Sequence, residues 1–318
     1  TDLTIAVSEA GGLGVLSHTN LEGKDSYKEM KKNMLKVVEH TDKPFGFNIR
    51  TARMQPDADM LCRRIPKFIM DNQKIREQCV YALTSAGSPT MLPKSRKWKQ
   101  LKEINPNIMH LHVAPAMWLA EKCVNRGVEG LVLTGTEGGG HQSYEKVSTL
   151  VLLQEAQKKW PDVPKVACGG FATGDGLAAA LSLGAGAIAM GSRFIASKES
   201  EFHPDYKKVV PPGKDTDTEL YTGVFGPIRL WKNEYAKTHE LVENKEEKMA
   251  QEKGMDAAKL LEEQRHYELT YKGDMDNGAV LLGQSIGIID QIEPVSEIME
   301  NIIKGAENSI NKIMKYIA

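Results

Sequence analysis

Short apolar runs alternate with longer polar stretches over the first two thirds of the chain. Each run is four to six residues long, which is typical of strands that are buried on both faces. The repeated order of strand and helix predicts a parallel sheet with helices outside it. We predict seven strands, at residues 14–17, 45–48, 80–85, 108–113, 130–134, 165–168 and 187–190.

This order of strands and helices is typical of a TIM barrel, which closes with eight strands. The chain opens on residues 2–10, whose pattern predicts a helix that ends at Gly11 and Gly12. The eighth strand is therefore expected before Thr1, unless the barrel is completed in another way.

The alternation stops after Arg193, where a segment rich in proline and aspartate begins. Near the end of the chain, apolar residues recur at steps of three and four, which predicts a helix with one packing face. These residues are Val295, Ile298, Ile302, Ile303, Ala306, Ile310, Ile313 and Ile317. The face either closes the barrel or forms a subunit contact, so a homodimer is one alternative.

The composition excludes several classes of protein. The chain has 41 basic and 42 acidic residues, and its net charge of -1 favours neither nucleic acid nor an anionic membrane surface as a partner. No membrane-spanning apolar run or secretory signal is recognisable, so we expect a soluble cytoplasmic protein. Cys62, Cys79, Cys123 and Cys168 lack the spacing of metal ligands, so we expect no metal site and mostly buried, reduced thiols.

The segment GTEGGGH, residues 135–141, comes directly after the strand predicted at 130–134. Glycines let a backbone approach a ligand closely, and catalytic residues of a TIM barrel lie at strand ends. A simple turn with an incidental histidine would explain the same letters. Because similar glycine-rich strand ends follow, we expect His141 to be a catalytic base.

Two later strand ends have the composition of a phosphate site. Gly169 and Gly170 follow the strand at 165–168, and Gly191 and Ser192 follow the strand at 187–190. Backbone amides at successive strand ends, together with one hydroxyl, suit a phosphate group, which the last two loops of a TIM barrel commonly bind. The alternative is ordinary turn sequence between a strand and a helix.

Four ordered segments resemble the nitronate monooxygenase family, formerly called 2-nitropropane dioxygenases. They are AVSEAGGLG at residues 6–14, GTEGGGH at 135–141, CGGFA at 168–172 and MGSRF at 190–194. The segment GQSIG at 283–287 extends the resemblance over most of the chain. The same family includes FMN- and NADH-dependent enoyl-acyl-carrier-protein reductases and NADH:quinone reductases.

The resemblance implies non-covalent FMN at the carboxyl ends of the strands of a TIM barrel. It implies an FMN-binding barrel at residues 1–195, a smaller and mainly helical lid at 196–290, and a C-terminal helix at 291–318 that packs on the barrel. A glutamine that is common in the family is replaced here by Thr134. By resemblance, the flavin ring is expected to contact Asn48, Thr134 and Gly139. The phosphate is expected to contact Gly169, Gly170, Gly191 and Ser192. The adjoining Ala189 and Met190 are also expected to contact the cofactor.

The resemblance leaves two reactions open. In the first, His141 removes a proton next to a nitro group, as a neutral imidazole can near physiological pH. FMN and O2 then convert the nitronate to a carbonyl compound and nitrite.

In the second reaction, NADH or NADPH reduces FMN for the reduction of an enoyl thioester or quinone, and His141 stabilises or protonates an enolate. The segment GTEGGGH favours the first, whereas residues 145–150 and 273–275 and the GQSIG segment resemble the reductases. A catalytically silent binding protein is a third alternative.

Other polar residues have two interpretations each. Glu137 either orients the catalytic base or faces solvent. His110 and His112 are expected to alternate on one strand, so that at most one points into the barrel, and to be packed or solvated rather than to ligate. Ser85 either lies near the flavin or caps a turn. Arg229 either meets an acidic substrate group or is an ordinary surface residue.

Overall fold

The computed structural model describes residues 1–17, 25–52, 55–223, 226–242, 244–252 and 265–317. One seven-stranded sheet has its strands in the order in which they follow the chain. Its members are β1 (Gly14–Ser17), β2 (Phe45–Arg50), β3 (Cys79–Ser85), β4 (Met109–Ala114), β5 (Gly130–Thr134), β7 (Lys165–Cys168) and β8 (Ala187–Ala189). The pairs β1–β2, β2–β3, β3–β4 and β7–β8 are parallel. All seven predicted strands are present within two residues at each end, and the predicted α/β class is confirmed.

A second, three-stranded sheet was not predicted. Its strands, in the order β6 (Gly140–His141), β10 (Gly226–Trp231) and β9 (Thr218–Gly223), are antiparallel. The pattern of β10 is weak because the strand begins with glycine and proline and carries a buried arginine. The residues predicted to form a mainly helical lid therefore also contain strands. The predicted boundaries at 195 and 290 stay predictions.

The chain divides into two compact units, of which the first comprises Thr1–Val132 and Asp162–Lys165. Its helices are α1 (Asp2–Glu9), α2 (Ser26–His40), α3 (Ala58–Asp71), α4 (Gln73–Gln78), α5 (Met91–Lys94), α6 (Arg96–Ile104) and α7 (Met117–Val124). As predicted, α1 ends just before Gly11, whose φ of +86° is accessible to glycine without strain.

Side chains along β2 point alternately to a packed face and to a polar face. Phe45, Phe47 and Ile49 are fully buried and form one cluster with Met34 of α2. Burial of side chains of this size stabilises the fold by roughly 1.5–3 kcal/mol each. Asn48 falls between two of them and therefore projects from the opposite face of the strand.

The second unit comprises Leu133–Pro161 and Val166–Ala318. Its helices are α8 (Thr149–Lys159), α9 (Gly174–Ser182), α10 (Ser192–Ile195), α11 (Pro204–Lys208), α12 (Glu234–Lys237), α13 (Lys245–Glu252) and the C-terminal helix (Val295–Ile317), with further helical residues at 265–271. Short 3₁₀ turns lie at Asp215–Asp217 and Gln284–Ile288.

The C-terminal helix packs along only the first part of its predicted apolar face. A Cβ atom on Gly174 of α9 would lie 2.5 Å from the Ile302 carbonyl oxygen and 2.5 Å from the Ala306 nitrogen, so the two helices approach closely. The buried residues of the face are Val295, Ile298, Ile302 and Ala306, whereas Ile303, Ile310 and Ile313 are exposed. Among the helices that the structure describes, none combines the length and the apolar character needed to cross a bilayer.

Candidate functional site

His141 lies in a strand rather than in a free loop. β5 ends at Thr134, five residues lead to β6, and Gly140 adopts a φ of +86° at the start of that strand. His141 pairs with Ile228 of β10, and the next amide, that of Gln142, donates a hydrogen bond to the Pro227 carbonyl oxygen at 2.7 Å. The main chain on both sides of the predicted base is therefore fixed, and the side chain is partly buried.

Arg229 of β10 connects this strand to the GTEGGGH segment. Its Nε donates to the Thr136 carbonyl oxygen at 2.7 Å, and its Nη1 donates to the carbonyl and hydroxyl oxygens of Thr218 at 3.2 Å each. Burial lowers the pKa of the guanidinium, and the carboxylates of Glu137 and Glu219 oppose that shift. The interpretation of Arg229 as a surface residue is wrong, because the residue is only 6% exposed.

Glu137 and Thr149 bind the GTEGGGH segment to the following helix and to the end of β7. The carboxylate accepts hydrogen bonds from the Thr149 amide at 3.0 and 3.2 Å. The Thr149 hydroxyl lies within hydrogen-bond distance of the Cys168 and Gly169 carbonyl oxygens, at 2.9 and 3.1 Å. The Glu137 carbonyl oxygen accepts from the Gln284 amide at 2.8 Å. Glu137 is therefore not the solvent-facing loop carboxylate that one interpretation expected.

Two consecutive glycines with left-handed backbone conformation bring the end of β7 against the GTEGGGH segment. Gly169 and Gly170 have φ values of +91° and +85°, which residues with a side chain rarely adopt. A Cβ on Gly169 would also lie 2.9 Å from the Gly138 nitrogen. The structure therefore brings two of the predicted phosphate-binding residues next to the segment that ends in His141.

Residues 282–284 contact the same segment. A Cβ on Gly139 would lie 2.6 Å from the carbonyl carbon of Leu282, so the glycine is required by this backbone contact. The Gly283 amide donates to Ser192 Oγ at 3.0 Å. The GQSIG segment thus connects Gly139 to Ser192, two residues predicted to contact the cofactor.

The polar groups of this site suit a phosphorylated flavin. Ser192 Oγ accepts one hydrogen bond from the main chain, so its own proton remains available to a phosphate. No atom of the described structure lies within 4 Å of a Cβ built on Gly191, which leaves space there. The Thr134 hydroxyl is buried and, among the described residues, has no hydrogen-bond partner stronger than the Cys168 thiol, which is a weak hydrogen-bonding group. Ala189 and Met190 are half-buried next to these residues in the chain.

Asn48 belongs to the first unit, whereas the other predicted cofactor residues belong to the second. The Ser85 hydroxyl of β3 donates to Asn48 Oδ1 at 3.0 Å. Both residues project from the polar face of their strands, because Asn48 pairs with Leu83 and Arg50 pairs with Ser85. Ser85 therefore orients the amide of Asn48 and leaves its NH₂ group for another acceptor.

His110 and His112 lie on the same face of β4, so the expectation that they alternate is wrong. Residues two apart on a strand share a face, and both imidazoles contact Thr84 Oγ1, at 2.8 and 2.6 Å. Burial lowers the pKa of His110 to about 3 and of His112 to about 4, and a main-chain hydrogen bond at Gly87 opposes the second shift. His110 also packs edge-on against Trp98. As expected, these are packed histidines.

No described residues form a group of three or more histidine, cysteine or acidic side chains that could hold a metal ion. All four cysteines are free, and three of them are buried. The burial of Cys62, Cys79 and Cys123 agrees with the expectation that the thiols are mostly buried.

Sequence reasoning missed Thr149 and the structural role of Arg229. Thr149 lies inside a segment whose family resemblance was recognised, but nothing in that segment shows that one hydroxyl meets two strand ends. The partners of Arg229 are 93 and 11 residues away along the chain. Local patterns carry no signal for contacts at such separations.

The parallel α/β sheet and the glycine-rich strand ends beside His141 belong to a sequence that matches a known protein family. The profile of the family described as nitronate monooxygenase matches residues 1–305. The chain belongs to this family.

Similar proteins include enzymes with different names. A curated relative from Rhodococcus jostii (strain RHA1) is 33% identical over 198 residues, which cover 62% of this chain and 49% of the relative. Its name is (3aS,4S,5R,7aS)-5-hydroxy-7a-methyl-1-oxo-octahydro-1H-indene-4-carboxyl-CoA dehydrogenase. The chain spans about half the length of the first curated relatives that it matches.

Two solved structures are similar over almost the whole chain. FabK from Thermotoga maritima has a TM-score of 0.77 at 30% identity and covers 99% of this chain and 91% of its own. Nitroalkane oxidase from Streptomyces ansochromogenes has a TM-score of 0.74 at 19% identity, and the match covers 98% of this chain and 93% of the oxidase chain. At this identity the match shows that the two chains have a similar fold.

Proposed function

We propose that the protein oxidises alkyl nitronates with FMN and O2 to a carbonyl compound and nitrite, and that His141 is the base that forms nitronates from nitroalkanes. The observation that carries the proposal is the fixed position of His141 in β6, beside the glycine-rich segments at the ends of β5 and β7. Membership of the nitronate monooxygenase family supports it.

The residues of the chain have separate tasks in this proposal. Gly169, Gly170, Gly191 and Ser192 hold the phosphate through main-chain amides and one hydroxyl, with Ala189 and Met190 beside them. Thr134, Gly139 and Asn48 contact the ring. Bound FMN supplies the redox chemistry, since no protein side chain of this site accepts a pair of electrons. His141 takes the proton from the carbon next to the nitro group.

A second candidate is the reduction of an enoyl thioester or quinone with NADH or NADPH as the source of electrons. It is favoured by the greater identity to FabK, 30% against 19% for nitroalkane oxidase. The name of the Rhodococcus relative contains a carboxyl-CoA group, which is a thioester. In this reaction His141 would stabilise or protonate the enolate.

Anaerobic absorbance of the protein-bound flavin separates the two candidates. The purified protein is loaded with FMN and mixed with NADH, with NADPH or with a preformed nitronate. A rapid change of the flavin spectrum with the nitronate and a slow response to both nicotinamides are the expected result. Bleaching within seconds by a nicotinamide, without a response to the nitronate, would assign the protein to the reductases. Failure to retain any flavin would favour the catalytically silent alternative.

A further inference from the structure

A cationic cavity lies in the first unit, and its lining residues include none that the proposed function uses. It has a volume of ≈540 Å³ and is lined by side chains of α2, α3 and the start of α6. Its cationic lining residues are Arg63, Arg64, Lys67, Arg96 and Lys97. Asp71 is the acidic residue that lines it. Such a cavity attracts an anion.

The start of α6 departs from the usual composition of a helix N-terminus. Ser95 occupies the N-cap position, but its side chain makes no capping hydrogen bond. The first turn has no acidic residue and instead begins with Arg96 and Lys97. Helix N-termini expose unpaired amides with a partial positive charge, so a capping oxygen and acidic residues are favoured there.

The Ser95 hydroxyl supplies an independent sign of a ligand. The residue is 8% exposed, it lines the cavity, and its Oγ has no hydrogen-bond partner among the described residues. A buried hydroxyl without a partner costs free energy, which a ligand atom at hydrogen-bond distance would recover. In α2, by contrast, the N-cap residue Asp25 accepts from two main-chain amides of the first turn.

Part of the cationic charge has no carboxylate partner within the described residues. Arg63 pairs with Asp59 at 2.8 Å, and Lys67 pairs with Asp71 at 2.6 Å. The remaining three cations are Arg64, Arg96 and Lys97. The Arg64 guanidinium lies 4.1 Å from the centre of the Tyr27 ring, and Lys97 donates a hydrogen bond to Gln100. Two of these three cations, Arg96 and Lys97, directly follow Ser95 at the start of α6.

We propose that this cavity binds a small organic phosphate of about mononucleotide size. The phosphate would accept hydrogen bonds from Ser95 and from the first amides of α6, and Arg64, Arg96 and Lys97 would supply the opposite charge. The cavity is within the usual size range of small-molecule sites, so it has room for an organic group as well as the phosphate. Its residues belong to the first unit, whereas the predicted FMN phosphate residues belong to the second.

Titration calorimetry tests the proposal on the protein loaded with FMN and then separated from unbound FMN, with adenosine 5′-monophosphate as the probe and adenosine as its phosphate-free control. We expect one saturable site for the monophosphate, competition by inorganic phosphate and no binding of adenosine. Arg96→Gln should weaken binding about ten-fold or more, because a charge-assisted hydrogen bond is lost, and Ser95→Ala should weaken it about three-fold or more.

Two controls separate loss of the site from loss of the fold. Arg126→Gln, an exposed arginine of the same unit, should leave the affinity unchanged. Arg96→Gln removes a cation from a helix N-terminus, so its free energy of unfolding should be equal to or above that of the wild type. Absence of saturable binding at low ionic strength, equal binding of adenosine, or unchanged affinity in both cavity variants would overturn the proposal. None of these outcomes depends on which reaction the enzyme catalyses.

Discussion

At the scale of single residues, His141 is the group on which the proposed chemistry depends. Its main chain is held by β10, so His141→Ala should keep the fold and the flavin. Loss of a general base typically lowers the rate by 10²–10⁴. We expect kcat/KM for neutral nitroalkanes to fall by about that factor and kcat/KM for preformed nitronates to fall much less. Equal loss on both substrates, or no loss, would contradict a proton-abstracting role.

The hydroxyl of Thr149 is expected to stabilise the ends of β5 and β7. Thr149→Val keeps the shape of the side chain but removes the donor to the Cys168 and Gly169 carbonyl oxygens and the acceptor of the Gly135 amide. Unsatisfied buried groups cost about 1–3 kcal/mol. Urea denaturation should show a loss of this size, whereas Thr149→Ser, which keeps the hydroxyl, should lose less. Equal stability of the valine variant and the wild type would show that the hydroxyl is dispensable.

The buried histidine pair predicts a pH dependence of stability. The pKa of His110 is lowered to about 3 and that of His112 to about 4, against 6.5 for an exposed imidazole. The unfolded chain therefore binds protons first, so this contribution to stability is complete above pH 6.5 and is lost as the pH falls toward 4. Each group changes the free energy of unfolding by at most about 1.4 kcal/mol per pH unit.

His110→Gln tests this pH dependence. The glutamine amide can still bond to Thr84 but does not titrate, so denaturation between pH 6.5 and 4 should give a shallower slope than in the wild type. His40→Gln serves as an exposed control in the same unit. Parallel slopes for the wild type and His110→Gln would contradict a neutral, buried His110.

At the scale of elements, Arg229 is the side chain that fixes β10 to the GTEGGGH segment. Arg229→Met removes the hydrogen bonds to the Thr136 and Thr218 carbonyl oxygens and should lower the free energy of unfolding by about 2 kcal/mol or more. We also expect a lower kcat, because β10 positions the main chain of His141. Arg229→Lys keeps the charge but not the planar fork of donors, so it should restore only part of both quantities. A methionine variant with wild-type stability and kcat would contradict this role.

The strands of the large sheet were predictable, whereas the small sheet was not. The runs that became β1 to β5, β7 and β8 are short, apolar and bounded by glycine or by polar helical stretches, so the local pattern suffices. β6 has only two residues, and β10 carries Pro227 and Arg229. These strands exist because the chain returns to pair with them, and such long-range pairing leaves no local pattern.

At the scale of the whole molecule, the homodimer considered from the sequence stays a prediction. Ile303, Ile310 and Ile313 of the C-terminal helix are 42–48% exposed and recur at helical spacing. Exposed apolar patches commonly mark protein contacts. If this face forms the dimer, Ile310→Lys combined with Ile313→Lys should halve the mass measured by light scattering, and Lys312→Gln on the same helix should not. A monomeric wild type would contradict the dimer.

The sequence by itself determined the α/β class, the seven strands and the glycine-rich strand ends that mark the site, because these depend on local pattern and on residues that only certain backbones need. It also identified the family through four ordered segments, and the family comparison confirmed this. Only the tertiary structure decided which partners the polar residues have. Thr149 meets two strand ends, Arg229 is buried and His110 and His112 share one hydroxyl, because hydrogen bonds between residues far apart in the chain depend on how the elements pack.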